Sequence, residues 1–203
     1  NAPTKSTLNL PNEERYQLQT KQGYPLFGVE IKTVDDENNE LPRDGEASGA
    51  LKVKGPWIMH TYFKADDPAV DNEGWFDTGD VATIHPDGCM QIVDRAKDVI
   101  KTGGEWISSI DLENAALTHE NVVEACVVGV PHPKWDERPL LFLITKDGNE
   151  MDKEDINNFL LEKVVKWWLP DDIIFVKELP HGATGKLQKV ELREEYKDHL
   201  MEK

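Results

Sequence analysis

Along the chain the spacing of apolar residues changes character once, near residue 95. From Gly28 the apolar positions alternate: VEIKTV, then ALKVKG, separated by the turn-rich cluster DDENNELPRDGE. IMHTYFK is a short apolar piece that fits one or two helical turns. GWFDTGDVATIHPDGCMQIVDR reads as strand, turn, strand, with His85-Pro86-Asp87-Gly88 placing Pro second and Gly fourth in a turn. The first 22 residues are polar and unpatterned and read as a loop. Residues 23–94 therefore read as an antiparallel β-rich subdomain, barrel-like or a meander.

Beyond Arg95 the pattern is mixed. VDRAKDVIKTGGEWISSIDLE predicts strand, tight loop, strand, helix. Val93, Val99 and Ile100 favour strands, Gly103-Gly104 the turn, and Ser108 or Ser109 an N-cap ahead of a helix over 109–118. VVEACVVGV and PLLFLIT are continuous apolar runs, as in strands covered on both faces. Ile156, Phe159, Leu160, Val164 and Trp167 recur at helical spacing, predicting a helix from Asp152, as N-cap, to Leu169, before Pro170. IIFV is a further short strand. A last helix from about Gln188 carries Leu192, Tyr196 and Leu200 on one stripe. The whole predicts three segments: 1–22, a loop; 23–94, the β-rich subdomain; and 95–203, a small α+β domain with helices on one or both sides of a three-stranded sheet, the boundary falling between Asp94 and Lys97.

Composition narrows the function. A net charge of −16 argues against nucleic acid, whose phosphates call for exposed Lys and Arg. The acidity is shared: residues 1–94 hold 8 basic and 17 acidic side chains, and 95–203 hold 15 and 22. Any bound anion must be held by a few local cations and backbone N–H groups. No apolar run approaches the ~20 residues of a membrane span. Two cysteines, Cys89 and Cys126, do not make a disulfide scaffold and fit a reducing, cytoplasmic setting. Cys126, inside VVEACVVGV, reads as a small buried hydrophobe. The six histidines show no metal-ligand spacing, so no metal site is assigned. His132, between two prolines, reads as a loop residue.

Three constellations carry chemistry. Asp80, in WFDTGD, can accept two hydrogen bonds from a vicinal diol such as a ribose; a turn carboxylate capping its own backbone is the plainer reading. Asp94-Arg95 with Lys97 and the glycine pair gathers positive charge beside a helix start, or forms a solvated hairpin. Gly182-Ala183-Thr184-Gly185-Lys186 presents a lysine on a flexible loop and is not a Walker loop, because only two residues separate the glycines and Leu187 follows the lysine. No nucleophile elbow is present.

In this order, GWFDTGD, VDRAKDVIKTGGEWISSIDLE and LPHGATGKLQKVELRE closely resemble the C-terminal portion of the acyl-adenylate-forming superfamily: acyl-CoA synthetases, firefly-type luciferases and peptide-synthetase adenylation domains. GGEWISSIDLE is most similar to the medium- and long-chain fatty-acid–CoA ligase branch. The resemblance runs from about Gly23 to the end. It implies that residues 95–203 are a mobile C-terminal lid. It implies that Asp80 and Arg95 bind the ribose of ATP, with Ile92 packing near the nucleotide, and that Lys97 is the hinge. Gly103, Gly104 and Trp106 would line the path of the CoA pantetheine arm, and Lys186 would be the lysine of acyl-adenylate formation. The substrates implied are a carboxylic acid, ATP and CoA, yielding AMP, with Mg²⁺ met by residues outside this chain. The family's phosphate loop, its Thr-Glu signature and the region holding its acyl pocket are absent, so the chain reads as the tail of a ligase, inactive alone. The alternatives are a non-catalytic binding module of the same fold, or a luciferase-like or carrier-loading adenylating enzyme.

Overall fold

The computed structural model describes residues 7–146, 148 and 151–201. The backbone divides into two units, Asn1–Lys97 and Asp98–Lys203.

In the first unit, four strands form one antiparallel meander in the order β1-β2-β3-β4: β1 (Glu30–Val34), β2 (Ser48–Lys54), β3 (Phe76–Ile84) and β4 (Met90–Arg95). The sheet is open, because β1 and β4 do not pair, and this corrects the barrel-like expectation to a meander. Alternation along β1 and β2 sends Ile31 and Leu51 into a small core with Ala82 and Ile84. The His85–Gly88 turn closes β3 onto β4, with Gly88 N–H donating to the His85 carbonyl at 2.8 Å. Residues 58–63 form turns, not helix.

One helix lies where none was expected. α1 (Asn12–Gln19) occupies part of the segment expected to be a loop. It has no apolar stripe to announce it. Its start is marked instead by the Pro11 carbonyl accepting from Arg15 N–H at 3.0 Å and by Glu13 and Glu14 in the first turn, where the helix dipole favours anions.

The second unit carries a five-stranded sheet. β5 (Ile100–Thr102) and β6 (Glu105–Ile107) form a hairpin. β7 (Val122–His132) and β8 (Asp136–Thr145) pair antiparallel over their length, and β9 (Asp172–Phe175) runs parallel to β8. β7 and β8 are apolar on both sides because both faces are covered. Val127, Leu141 and Leu143 join Leu112 of α2 (Ser109–Leu117) and Ile156 and Leu160 of α3 (Lys153–Leu161). Cys126, Phe142 and Leu140 face the other way, onto Leu192 of α4 (Lys189–Glu195) and Leu200. Ser108 caps α2, accepting from Asp111 N–H at 3.1 Å, and Asp152 caps α3, accepting from Glu154 N–H at 2.7 Å.

α3 stops at Leu161 instead of continuing to Leu169. The β-branched pair Val164-Val165 is a poor helix continuation, and Val165 is extended. A 3₁₀ turn (Lys166–Trp168) follows, which packs Trp168 against the core and leaves Trp167 exposed. His132 ends β7, opposite Asp136, and is not a loop residue; its Nε2 lies 3.6 Å from Asp171.

Candidate functional site

In the first unit the site is made by register. Asp80 on β3 stands opposite Arg95 on β4, and Val81 opposite Asp94; Ala82 then pairs with Ile92, leaving Val93 as the extra residue of a β-bulge. A bulge raises the local twist and re-aims the side chains beside it. Asp80 and Arg95 meet at 3.1 Å, the carboxylate largely buried and the guanidinium largely exposed. The turn before Asp80 is tied at each residue. Asp77 accepts from Gly79 N–H at 2.9 Å, and Thr78 Oγ1 donates to the Leu51 carbonyl at 3.0 Å and accepts from Asp80 N–H at 3.2 Å. Gly79 sits at φ +71, a conformation that favours glycine, and its carbonyl takes Ala96 N–H at 2.9 Å. Arg95 N–H donates to the buried Asp94 carboxylate at 2.7 Å. Asp80 is thus a fixed acceptor beside an exposed cation, an arrangement able to accept hydrogen bonds from a diol. Half-buried Ile92 lies on the same strand, with its N–H donating to Gln22 Oε1 at 2.6 Å. Gln22 had no signal in the sequence. Lys97, exposed, is the last residue of this unit.

In the second unit two loops carry the remaining residues. Gly103 and Gly104, at φ +55 and +88, make the two-residue turn between β5 and β6. A Cβ on Gly103 would stand 3.1 Å from the Trp135 ring, and Gly103 N–H donates to the Trp135 carbonyl at 3.0 Å. Gly104 faces open space. Two lysines sit over indole rings nearby: Lys101 over Trp106 at 4.8 Å and Lys134 over Trp135 at 4.4 Å. Trp135 was missed in the sequence; a tryptophan among the turn residues PHPKWDE was the available signal. Arg138 braces the neighbourhood, donating to Asp171 at 2.6 Å and to the Trp167 and Leu169 carbonyls at 2.9 and 3.0 Å.

Lys186 stands at the end of a tight loop closed by Gly182 N–H to the Lys186 carbonyl and Gly185 N–H to the Gly182 carbonyl, both 2.8 Å. The side chain is exposed, and among the described residues its ammonium has no hydrogen bond or ion pair. Neither thiol competes as a nucleophile: both are buried, and burial, followed by the charge of Glu113, pushes Cys126 up to about 12. Among the described residues no group of three His, Cys, Asp or Glu could hold a metal ion.

Comparison with known proteins identifies the family. Residues 111–186 match the AMP-binding enzyme C-terminal domain. This chain is the C-terminal portion of an acyl-adenylate-forming enzyme of the acyl-CoA ligase branch. It is 50% identical over 200 residues, 98% of its length, to 3-methylmercaptopropionyl-CoA ligase of Ruegeria lacuscaerulensis. It is 46% identical over 201 residues to the medium-chain-fatty-acid–CoA ligase of Ectopseudomonas oleovorans. The chain spans 37% of the length of each of these relatives. Its backbone is similar to ATP-bound MatB from Rhodopseudomonas palustris, at TM-score 0.77 and 31% identity, over 89% of this chain and 36% of that one.

Proposed function

We propose that the full-length enzyme containing this chain is an AMP-forming ligase that joins a medium- or long-chain fatty acid to CoA in the cytoplasm. In the first half-reaction a carboxylate oxygen attacks the α-phosphorus of ATP and pyrophosphate leaves with its bonding electrons. In the second, the CoA sulfur attacks the acyl carbonyl, the thiol proton is lost and AMP leaves. Asp80 and Arg95 hold the ribose, and Ile92 packs beside the nucleotide. The unit boundary at Lys97 serves as hinge, bringing in first Lys186 and then the Gly103–Gly104 turn with Trp106.

The observation that carries this reading is Lys186. Two anions must approach during adenylation, and a point charge with no partner among the described residues is available to meet them. Lys186→Ala in the full-length enzyme should cut pyrophosphate exchange by a factor on the order of 10² to 10³. Thioester formation from supplied acyl-adenylate should survive. Unchanged exchange, or equal loss of both halves, would overturn the reading. The purified chain alone should form no thioester, because its sequence lacks the family's phosphate loop.

The higher identity to a 3-methylmercaptopropionyl-CoA ligase favours a second reading, in which the acid is short and sulfur-containing. The ratio of kcat/KM for octanoate and for 3-methylmercaptopropionate decides between them.

A further inference from the structure

α4 begins three residues after Lys186, yet it is a short helix of 7 residues with no side-chain hydrogen bond at its N-cap Gln188. Such a helix is not stable by itself. Two charged side chains on one face, four residues apart, fasten it. The Lys189 ammonium, 12% exposed, lies 2.7 Å from Glu113 Oε1 and 2.7 Å from Ser109 Oγ on α2. Glu113 Oε1 in turn accepts Val127 N–H of β7 at 2.8 Å. One turn on, Arg193 forms an ion pair with Asp98, whose side chain is 13% exposed. Between them Leu192 is buried with Cys126, Leu140 and Phe142. Asp98 is the first residue of the second unit and adjoins Lys97.

We propose that Lys189 and Arg193 are positioning residues for Lys186. α4 is clamped at one pair to α2 and β7 and at the other to the residue next to the hinge. A rotation at Lys97 is then delivered to the Lys186 loop instead of being absorbed by it. The loop's base has its own fastenings, the bridge between His181 and Leu187, His181 Nε2 against Glu124 of β7 at 2.7 Å and Gln188 N–H on the Pro180 carbonyl at 2.8 Å, and the clamp adds the attachment on the C-terminal side of Lys186. Both pairs are partly buried, so removing one partner leaves the other charge poorly compensated. The Gly103–Gly104 turn does not depend on it, since β5 continues from Asp98 through the backbone. The inference rests on the roles proposed above for Lys186 and Lys97.

The test uses the full-length enzyme with Arg193→Met, Arg193→Lys and Asp98→Asn, each alone and combined with Lys186→Ala. Arg193→Met and Asp98→Asn should lower the rate of pyrophosphate exchange between about 10- and 10²-fold, the loss a displaced catalytic group suffers. KM for ATP and acid should hold, as should thioester formation from supplied acyl-adenylate. Arg193→Lys should recover part of the loss. On the Lys186→Ala background none should lower exchange further, because residues acting through one group are not additive. Additive losses, a loss confined to KM, or equal damage to both half-reactions would overturn the proposal. Should Arg193→Met not fold, Arg193→Lys and Asp98→Asn, which keep the charge or the shape of the pair, carry the same comparison. If Lys186→Ala leaves exchange intact, the function proposed for Lys186 fails and this inference with it. If Lys186→Ala abolishes exchange while the losses add, only the clamp fails.

Discussion

The two units hold their candidate functional residues in opposite ways. In the first, Asp80 and Arg95 lie within a β-ladder, so their 3.1 Å meeting is a consequence of strand register and one bulge. The sheet that supplies this register has a small core, and its loops leave Phe27, Phe63 and Trp57 exposed. In the second, Gly103–Gly104 and Lys186 lie on loops, and the rigidity is elsewhere, in a sheet buried on both faces. On the function proposed above, a nucleotide site can be built from strand pairing in a thin sheet. Groups that must exchange places need short loops on a body that does not deform.

The most severe test of that contrast is core truncation. Phe142, fully buried and in edge contact with Tyr196 at 4.9 Å, bridges β8 to the C-terminal segment. Phe142→Ala should cost about 3–5 kcal/mol. Leu51→Ala, in the small core of the first unit, should cost about 2 kcal/mol, the low end for leucine, because an open sheet relaxes into the gap. Denaturant unfolding of the purified chain measures both. Equal losses would end the distinction between a thin and a thick core.

The contrast also explains what could be read in the sequence. β7, β8 and the β5–β6 hairpin were legible because burial on both faces leaves unbroken apolar runs and a two-residue turn calls for its glycines. Asp80, Arg95 and Lys186 stand out as a set only through the family resemblance of the strings that hold them. α1 was not, because its support is a first-turn charge pattern instead of a stripe. The end of α3 was misjudged because Trp167 matches the helical period by spacing alone, while Val164-Val165 breaks the backbone first. The Lys189–Glu113 and Arg193–Asp98 pairs span 76 and 95 residues, and no local pattern announces contacts so distant.

The turn at Gly103–Gly104 sharpens the comparison at a smaller scale. Both glycines have positive φ, so alanine at either should cost about 1–2 kcal/mol in backbone strain. Only Gly103 has Trp135 against it, 3.1 Å from the added methyl. Gly103→Ala should therefore be the more damaging and should alone change Trp135 fluorescence. If Gly104→Ala is equally costly and equally perturbs the fluorescence, the turn is not braced by the β7–β8 loop.

The smallest effect expected is the most selective. The carboxyls held below their ordinary value of 3.8 are Asp35, Asp44, Asp71 and Asp87, all in the first unit. Each accepts hydrogen bonds from its own turn: Asp35 chiefly from the Asn39 side chain, Asp44 from Ala47 N–H, Asp71 from Trp75 N–H and Asp87 from Cys89 N–H, then the Tyr24 hydroxyl. A carboxyl lowered on folding contributes stability that is complete above 3.8 and is lost as pH falls through the folded value. The same Asp87 contact raises Tyr24 above 10, so that pair also weakens as pH rises past the ordinary tyrosine range. In the second unit the shifted groups are Cys126 and Tyr196, both raised, chiefly by burial, and neither titrates in acid. Amide exchange followed from about pH 6 to about pH 2 should show the Asn39, Ala47, Trp75 and Cys89 amides losing protection while those of β7 and β8 keep theirs. Asp44, Asp71 and Asp87 are solvent-exposed and Asp35 is half-buried, so solvent screens each contribution, and the effect is a local loosening of turns, not global unfolding. Asp87→Asn keeps an oxygen for Cys89 N–H but cannot be protonated in this range. It should remove the acid step at that turn and leave the other three in place. Loss of β7–β8 protection at the same pH as the turns would mean that the two units share one acid transition, and the contrast between them would not hold at low pH.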